Sequence, residues 1–145
     1  MPFTVREYMK SQHAVLIAYL ERAGVEHVVH EHAPVFTSQQ AAAVRGVALR
    51  AGVKAMVFMT ADNRVIMALV PADRRVDVRK LATIAATNVR LASPEEVLKA
   101  TGCKIGSVHP FGNLFGIATY ADRAILENEG VNFNAGLHTV SIEMK

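Results

Sequence analysis

Lys54 is the lone polar residue of Gly52-Val53-Lys54-Ala55-Met56-Val57-Phe58. An unpaired ammonium is costly to bury, so this side chain must reach solvent, a carboxylate or an anionic ligand. The plainer alternative is a strand-edge lysine whose stem covers apolar surface while its head stays in water. The stretch Thr101-Gly102-Cys103-Lys104-Ile105-Gly106-Ser107-Val108-His109-Pro110-Phe111-Gly112 is the second candidate. Its three glycines and one proline let the backbone turn sharply and approach a ligand closely. Exposed N–H groups in such a loop can bind an oxyanion or a ribose oxygen. Its spacing matches neither a dinucleotide fingerprint nor a P-loop, and a loop of this composition also serves as a plain connector. His109, inside it, can donate a hydrogen bond, move a proton, or cap the turn before Pro110.

His30 and His32 stand two apart and would share one face of a strand, as paired metal ligands often do. No third ligand stands at a telling spacing, and Glu31 would point the other way. His27, His30 and His32 are therefore expected as solvent-facing or hydrogen-bonded strand residues, with no metal and no cofactor. The chain has no Gly-x-Ser-x-Gly elbow, and Cys103 has no activating partner in its neighbourhood. A hydrolase built on these residues must use water on an already activated bond.

Short helical and strand-like stretches alternate along the chain, with no internal repeat and no long linker. Thr4-Val5-Arg6-Glu7 reads as a capping box. Val5, Tyr8 or Met9, Leu16 and Leu20 follow at helical spacing, and Gly24 offers a stop. Residues 25–32 read as a strand. Thr37-Ser38-Gln39-Gln40 is a second capping box, opening an Ala-rich helix that ends near Gly46. Residues 53–60 and 65–70 are apolar runs joined by a short turn, a hairpin at the centre of a sheet. Residues 76–86 look helical, with Val78, Leu81 and Ile84 or Ala85 on one face. Ser93-Pro94-Glu95-Glu96 combines an N-cap serine, Pro at the first helical position and Glu three residues after the cap. That helix should stop at Gly102. Residues 114–120 and 138–144 read as further strands. The fold class expected is α/β of the mixed (α+β) kind: one domain, residues 1–145, with a mixed, largely antiparallel central sheet flanked by helices.

Bulk properties agree. The chain's 145 residues suit one domain, and its 51% hydrophobic residues, without a tryptophan, leave aliphatic side chains to build the core. Its formal net charge is +3, which permits a polyanionic partner without marking one, and no Lys/Arg run resembles a nucleic-acid-binding tail. The single cysteine excludes an intramolecular disulfide and a Cys-rich zinc site. The N-terminal residues lack the pattern of a signal peptide. The apolar run 14–20 is too short to span a bilayer, so no membrane partner is expected and the compartment is read as cytoplasmic. Oligomeric state stays open.

Across nearly its whole length the chain resembles the YbaK/ProX family, freestanding relatives of the editing domain inserted in bacterial prolyl-tRNA synthetases. The resemblance runs through His32-Ala33-Pro34-Val35-Phe36-Thr37 with Ala41-Ala42, the Gly-Val-Lys strand at Lys54, and Val70-Pro71-Ala72-Asp73. It continues in Ser93-Pro94-Glu95-Glu96-Val97, the loop 101–112, Tyr120-Ala121-Asp122, Phe133-Asn134-Ala135-Gly136 and Ser141-Ile142-Glu143. Each piece is modest; their order and spacing together are specific.

The resemblance implies metal-independent hydrolysis of mischarged aminoacyl-tRNA in trans, on a small amino acid such as alanine, cysteine, serine or threonine, with tRNA for proline the first choice. The family lysine falls on Lys54, where it is expected to hold the terminal adenosine end of the tRNA. The family Gly-x-x-x-Pro motif falls on Gly106-Ser107-Val108-His109-Pro110, whose backbone is expected to bind the 3′-terminal ribose and the ester. Phe111, Gly112 and Thr37 join the expected binding surface. Asn134, Ala135 and Gly136 match another pocket-lining turn, with Ser141 on a neighbouring strand. Lys54, Gly106 and His109 are the expected catalytic residues, and the implied partners are the tRNA 3′ end and an aminoacyl-tRNA synthetase. Ala55 stands where many relatives have Thr, and Ser141 where some carry an acidic residue, so the amino acid stays open. A non-catalytic module that binds aminoacyl-tRNA or a synthetase is the alternative reading, and a metal-dependent enzyme using His30 and His32 the third.

Overall fold

The computed structural model describes the backbone of residues 5–145 and the side chains of residues 12–145. The capping box expected at Thr4-Val5-Arg6-Glu7 and the side chains of Tyr8 and Met9 lie outside the described residues. Among the described residues four α-helices and seven strands follow as α1 (Val5–Arg22), β1 (His27–Glu31), α2 (Ser38–Arg45), β2 (Val53–Thr60), β3 (Val65–Pro71), α3 (Val78–Ala85), β4 (Val89–Leu91), α4 (Pro94–Thr101), β5 (Ala118–Ala121), β6 (Val131–Asn134) and β7 (Val140–Met144). Short 3₁₀ turns occupy Leu49–Ala51, Gly112–Phe115 and Arg123–Glu127.

The mixed α/β class is found, with the strands shared between two sheets. One has the order β1-β7-β6, all antiparallel. The other has the order β4-β2-β3-β5, antiparallel except for the β3–β5 pair. A single bridge from Gly52 to Asn132 joins them. Gly52 stands where a side chain would crowd its neighbours: a Cβ there would lie 3.1 Å from Ala72 Cβ and 3.3 Å from the Leu49 carbonyl oxygen.

The four-stranded sheet is covered on both faces, which is why β2 and β3 read as nearly continuous apolar runs. Val57 and Met67 pack to one side with Val97, Cys103 and Val108, under α4 and the loop that follows it. Phe58, Ile66 and Ala68 pack to the other, against Leu81 and Ala85 of α3. The inward stripe of α3 is thus Leu81 and Ala85, four apart; of the face expected from the spacing, Val78 is exposed, and of the alternatives Ile84 and Ala85 it is Ala85 that turns inward. The three-stranded sheet closes on Leu16 and Leu20 of α1 through Phe133 and Ile142.

Helix ends follow the sequence closely because capping is local. Thr37 accepts from the Gln40 amide while the Gln40 side chain returns to the Thr37 amide, and Gly46 closes α2 in the left-handed conformation. Ser93 and Glu96 form the same reciprocal pair at α4, which Gly102 closes. The strand read over residues 114–120 is shorter: Gly112–Phe115 turns as a 3₁₀ segment, and only Ala118–Ala121 pairs with β3. Among the described residues no helix is long and apolar enough to cross a membrane.

Candidate functional site

A cavity of about 250 Å³ opens where the two sheets diverge around the Gly52–Asn132 bridge. The N-terminal half of β2 forms its floor, with Val53, Lys54, Ala55, Met56 and Val57 along it. Helix α2 and its N-cap supply Thr37, Ala41 and Arg45; Ala92 comes from the link between β4 and α4, Val97 from α4, and Gly106 and Val108 from the loop behind it. Asn132 and Asn134 of β6 complete the wall. One side is therefore small and apolar, the other amide and guanidinium, and among the described residues no carboxylate lines it.

Five of the sequence-derived site residues meet here: Thr37, Lys54, Gly106, Val108 and Asn134. Lys54 is half-buried and donates from Nζ to the carbonyl of Arg74 at 2.8 Å, so its ammonium is anchored at the cavity and, among the described residues, makes no ion pair. Gly106 has φ +83°, a conformation that disfavours any side chain. Its carbonyl accepts from Asn134 Nδ2 at 2.8 Å. The backbone amides of Gly106 and Val108 find no acceptor among the described residues, which leaves two donors on cavity-lining residues uncommitted. The Thr37 hydroxyl is committed to its cap.

The other candidates stand behind the wall. Ser107 donates to the Lys104 carbonyl at 2.7 Å and, through its own carbonyl, holds the Gly136 amide. Phe111 packs edge-on against Tyr19 and Phe133 in the α1 core, Pro110 precedes it in the same turn, and Gly112 lies directly against Thr119. The Ala135 carbonyl accepts from His13 Nδ1 at 2.8 Å. His109, expected as a catalytic residue, is fully buried and lines no part of the cavity. Its Nδ1 accepts from the Phe111 amide at 3.2 Å, and its ring stacks on Phe115 with centroids 4.4 Å apart. Burial, aided by the charge of nearby His13, holds the imidazole down to about 4, so it is neutral at pH 7. Its position makes it a fastener of the 109–111 turn. His30 turns to Glu143 and His32 to Ser141, so the two do not converge.

Arg45 is the residue that the sequence reading missed. It looks like an ordinary basic last turn of an exposed helix, which complements the helix dipole. In the fold its Nε donates to Ser141 Oγ at 2.7 Å, one terminal nitrogen to Asn132 Oδ1 at 2.7 Å and the other to Asn134 Oδ1 at 3.1 Å. The network extends outward. His32 Nδ1 lies 2.8 Å from the Ala33 carbonyl, which can only accept; the ring proton therefore sits on Nδ1 and Nε2 accepts from the Ser141 hydroxyl at 2.6 Å. Burial lowers the guanidinium pKa to about 10, which still leaves it charged at neutral pH. Ser141 thus reaches the cavity through Arg45 and not directly.

Comparison with known proteins agrees in order and extent. The model of the aminoacyl-tRNA editing domain matches residues 32–145. The chain is 34% identical to the multifunctional Ser/Thr-tRNA deacylase ProXp-y of Escherichia coli (strain K12), over 92% of this chain and 83% of that protein. It is 41% identical to part of the proline–tRNA ligase of Moorella thermoacetica, over 59% of this chain and 16% of the ligase. A crystal structure described as a candidate trans-editing enzyme for prolyl tRNA synthetase superposes with a TM-score of 0.80 at 26% identity, covering 92% of this chain and 86% of that one.

Proposed function

The chain belongs to the aminoacyl-tRNA editing domain family, and from that premise we propose that it is a trans-editing deacylase of the cytoplasm, hydrolysing mischarged tRNA. Its proposed substrate is a small amino acid (alanine, cysteine, serine or threonine) esterified to the 3′ end of a tRNA, with tRNA for proline the first choice. The observation that carries this reading is the carboxylate-free cavity that gathers Lys54 from β2, Gly106 and Val108 from the loop after α4, and Asn134 from β6.

An aminoacyl ester is already reactive, and its vicinal 2′-hydroxyl can assist, so the site needs no triad. Water attacks the ester carbonyl carbon and forms a tetrahedral oxyanion. Its collapse expels the 3′-oxygen of the ribose, which takes up a proton, and leaves the free amino acid. Gly106 and Val108 offer two amides without internal acceptors to the developing oxyanion; each such donor contributes about 3–4 kcal/mol. The ammonium of Lys54 at the rim favours the anionic end of the tRNA. Holding ester and water together in a space of this size can contribute roughly 7–11 kcal/mol. The apolar wall of Ala41, Val57, Ala92 and Val97 limits the size of the side chain admitted. Such a second pocket is useful because a synthetase rejects a near-isostere by only about 10–200-fold.

The test is a deacylation panel of tRNAs charged with alanine, cysteine, serine, threonine and proline, run with wild type and Lys54→Ala. Rapid hydrolysis of a mischarged species, reduced at least about tenfold in the variant and indifferent to chelators, is expected. Full activity in Lys54→Ala refutes the role given to that lysine. A flat panel with measurable tRNA binding replaces the hydrolase by a binding module.

A further inference from the structure

The ester chemistry above leaves Arg45 unused, although it stands in the cavity wall. A guanidinium has five N–H donors. Three are spent on Ser141, Asn132 and Asn134. One N–H remains on each terminal nitrogen, and neither meets a further acceptor among the described residues. A salt bridge would be the usual partner for so desolvated a cation, yet its three acceptors are all neutral.

The anchoring also fixes where the spare donors stand. Asn132 and Asn134 hold the guanidinium from β6, and Ser141, itself bonded to His32, holds it from β7. Asn134 is locked in turn, because its amide nitrogen donates to the Gly106 carbonyl. The plane of the fork cannot swing away without breaking several bonds at once. The short apolar side chains of Val57 and Val97, from β2 and α4, line the cavity with it, and Ala41 stands one turn from Arg45 on α2 itself. A group that enters the cavity therefore meets pre-aimed donors and a size limit together.

Resting on the deacylase reading, we propose that Arg45 is a specificity-determining residue: its spare N–H groups donate to the side-chain hydroxyl of the bound aminoacyl group, and the cavity selects seryl and threonyl esters over isosteres without the hydroxyl. Shape alone cannot make this choice, since threonine and valine have nearly the same volume. A pocket built to hydrogen-bond a hydroxyl can, because the analogue leaves buried donors unpaired.

The experiment charges one tRNA in turn with threonine, valine, serine and alanine, and measures single-turnover deacylation by wild type, Arg45→Lys and Ser141→Ala. Lysine keeps the charge and loses the fork; Ser141→Ala keeps the arginine but removes the acceptor that aims Nε. Wild type is expected to prefer threonyl over valyl, and seryl over alanyl, by roughly ten- to a hundredfold, the range of one hydrogen bond to a charged group. Arg45→Lys is expected to bring both ratios within about threefold of unity, and Ser141→Ala to shrink them severalfold. The ratio is the diagnostic quantity, because a loosened Gly106 loop lowers all four rates together. Equal wild-type rates on threonyl and valyl esters overturn the proposal. So do undiminished ratios in the variants, with only a common loss; the guanidinium then braces the loop or meets the terminal nucleotide. If Arg45→Lys does not fold, the Ser141→Ala ratio decides. Wild type that hydrolyses none of the four esters refutes the deacylase reading itself, a result distinct from hydrolysis without preference.

Discussion

Replacing His109 by asparagine exposes a proton-linked stability term that the native fold hides. In wild type the imidazole is fully buried, accepts from the Phe111 amide, and is held to about 4 against the ordinary 6.5 by burial first and by His13 second. The unfolded chain takes up a proton at this residue as pH falls through 6.5, while the native chain resists until about 4. Unfolded protein thus binds more protons throughout that window, and stability falls as pH falls through it. At pH 5 the unfolded imidazole is almost wholly charged and the native one almost wholly neutral. Between pH 7 and pH 5 the wild type should lose about 2 kcal/mol through this residue alone. In His109→Asn the side-chain oxygen takes over the acceptor role near the old Nδ1 position and does not titrate. Its own penalty, lost stacking on Phe115, is the same at both pH values. Urea unfolding of both proteins at the two pH values gives the double difference, in which all other titrating groups cancel. The variant should be less stable at pH 7, and its loss on acidification smaller by about 2 kcal/mol. Parallel pH dependence in the two proteins would refute the argument, since the native imidazole would then be as easily protonated as the unfolded one. Deacylation by the variant at pH 7 should stay within severalfold of wild type, because His109 touches no part of the cavity.

Two further outcomes follow from packing. In Gly112→Ala the new Cβ would overlap Thr119 Oγ1 and lie 3.0 Å from the Ile117 carbonyl oxygen, so Thr119 must rotate and give up its 3.0 Å bond to that carbonyl. Thermal unfolding should show a loss of about 1–3 kcal/mol, partly recovered by adding Thr119→Ala; an unchanged melting temperature would contradict the contact. Burial lifts the Cys103 thiol to about 11, so a thiol reagent at neutral pH should label it only on global unfolding; labelling at the rate of a free thiol in the native protein would show that the loop after α4 opens.

What the sequence made legible was local. The boxes at Thr37 and Ser93 and the stops at Gly46 and Gly102 depend on residues three or four positions apart, and they appear where the spacing put them. The β2–β3 hairpin was legible because a sheet buried on both faces writes itself as two apolar runs around a short turn. Strands β4 and β6, three and four residues long, carry too few positions for a period to show. The 3₁₀ turn at Gly112–Phe115 hides inside an apolar run that reads equally well as strand.

The same division holds at the site. Lys54 and the 106–110 loop announce themselves in the sequence, one as a charge among apolar neighbours, the other as a concentration of glycine and proline. Arg45 gives no such signal. Its partners Asn132, Asn134 and Ser141 lie 87, 89 and 96 residues away, and only the pairing of β6 with β7 brings them under α2. His109 shows the converse: its loop is exposed in composition, yet Phe115 and Phe111 close over the ring and leave it outside the cavity. Sequence fixes which groups carry charge, donors or freedom of backbone, because those are properties of residue type and near neighbours. Whether a given group faces a cavity or the core depends on side chains delivered by distant segments, and burial, which sets both the hydrogen-bond partner and the proton affinity, exists only once those segments have packed.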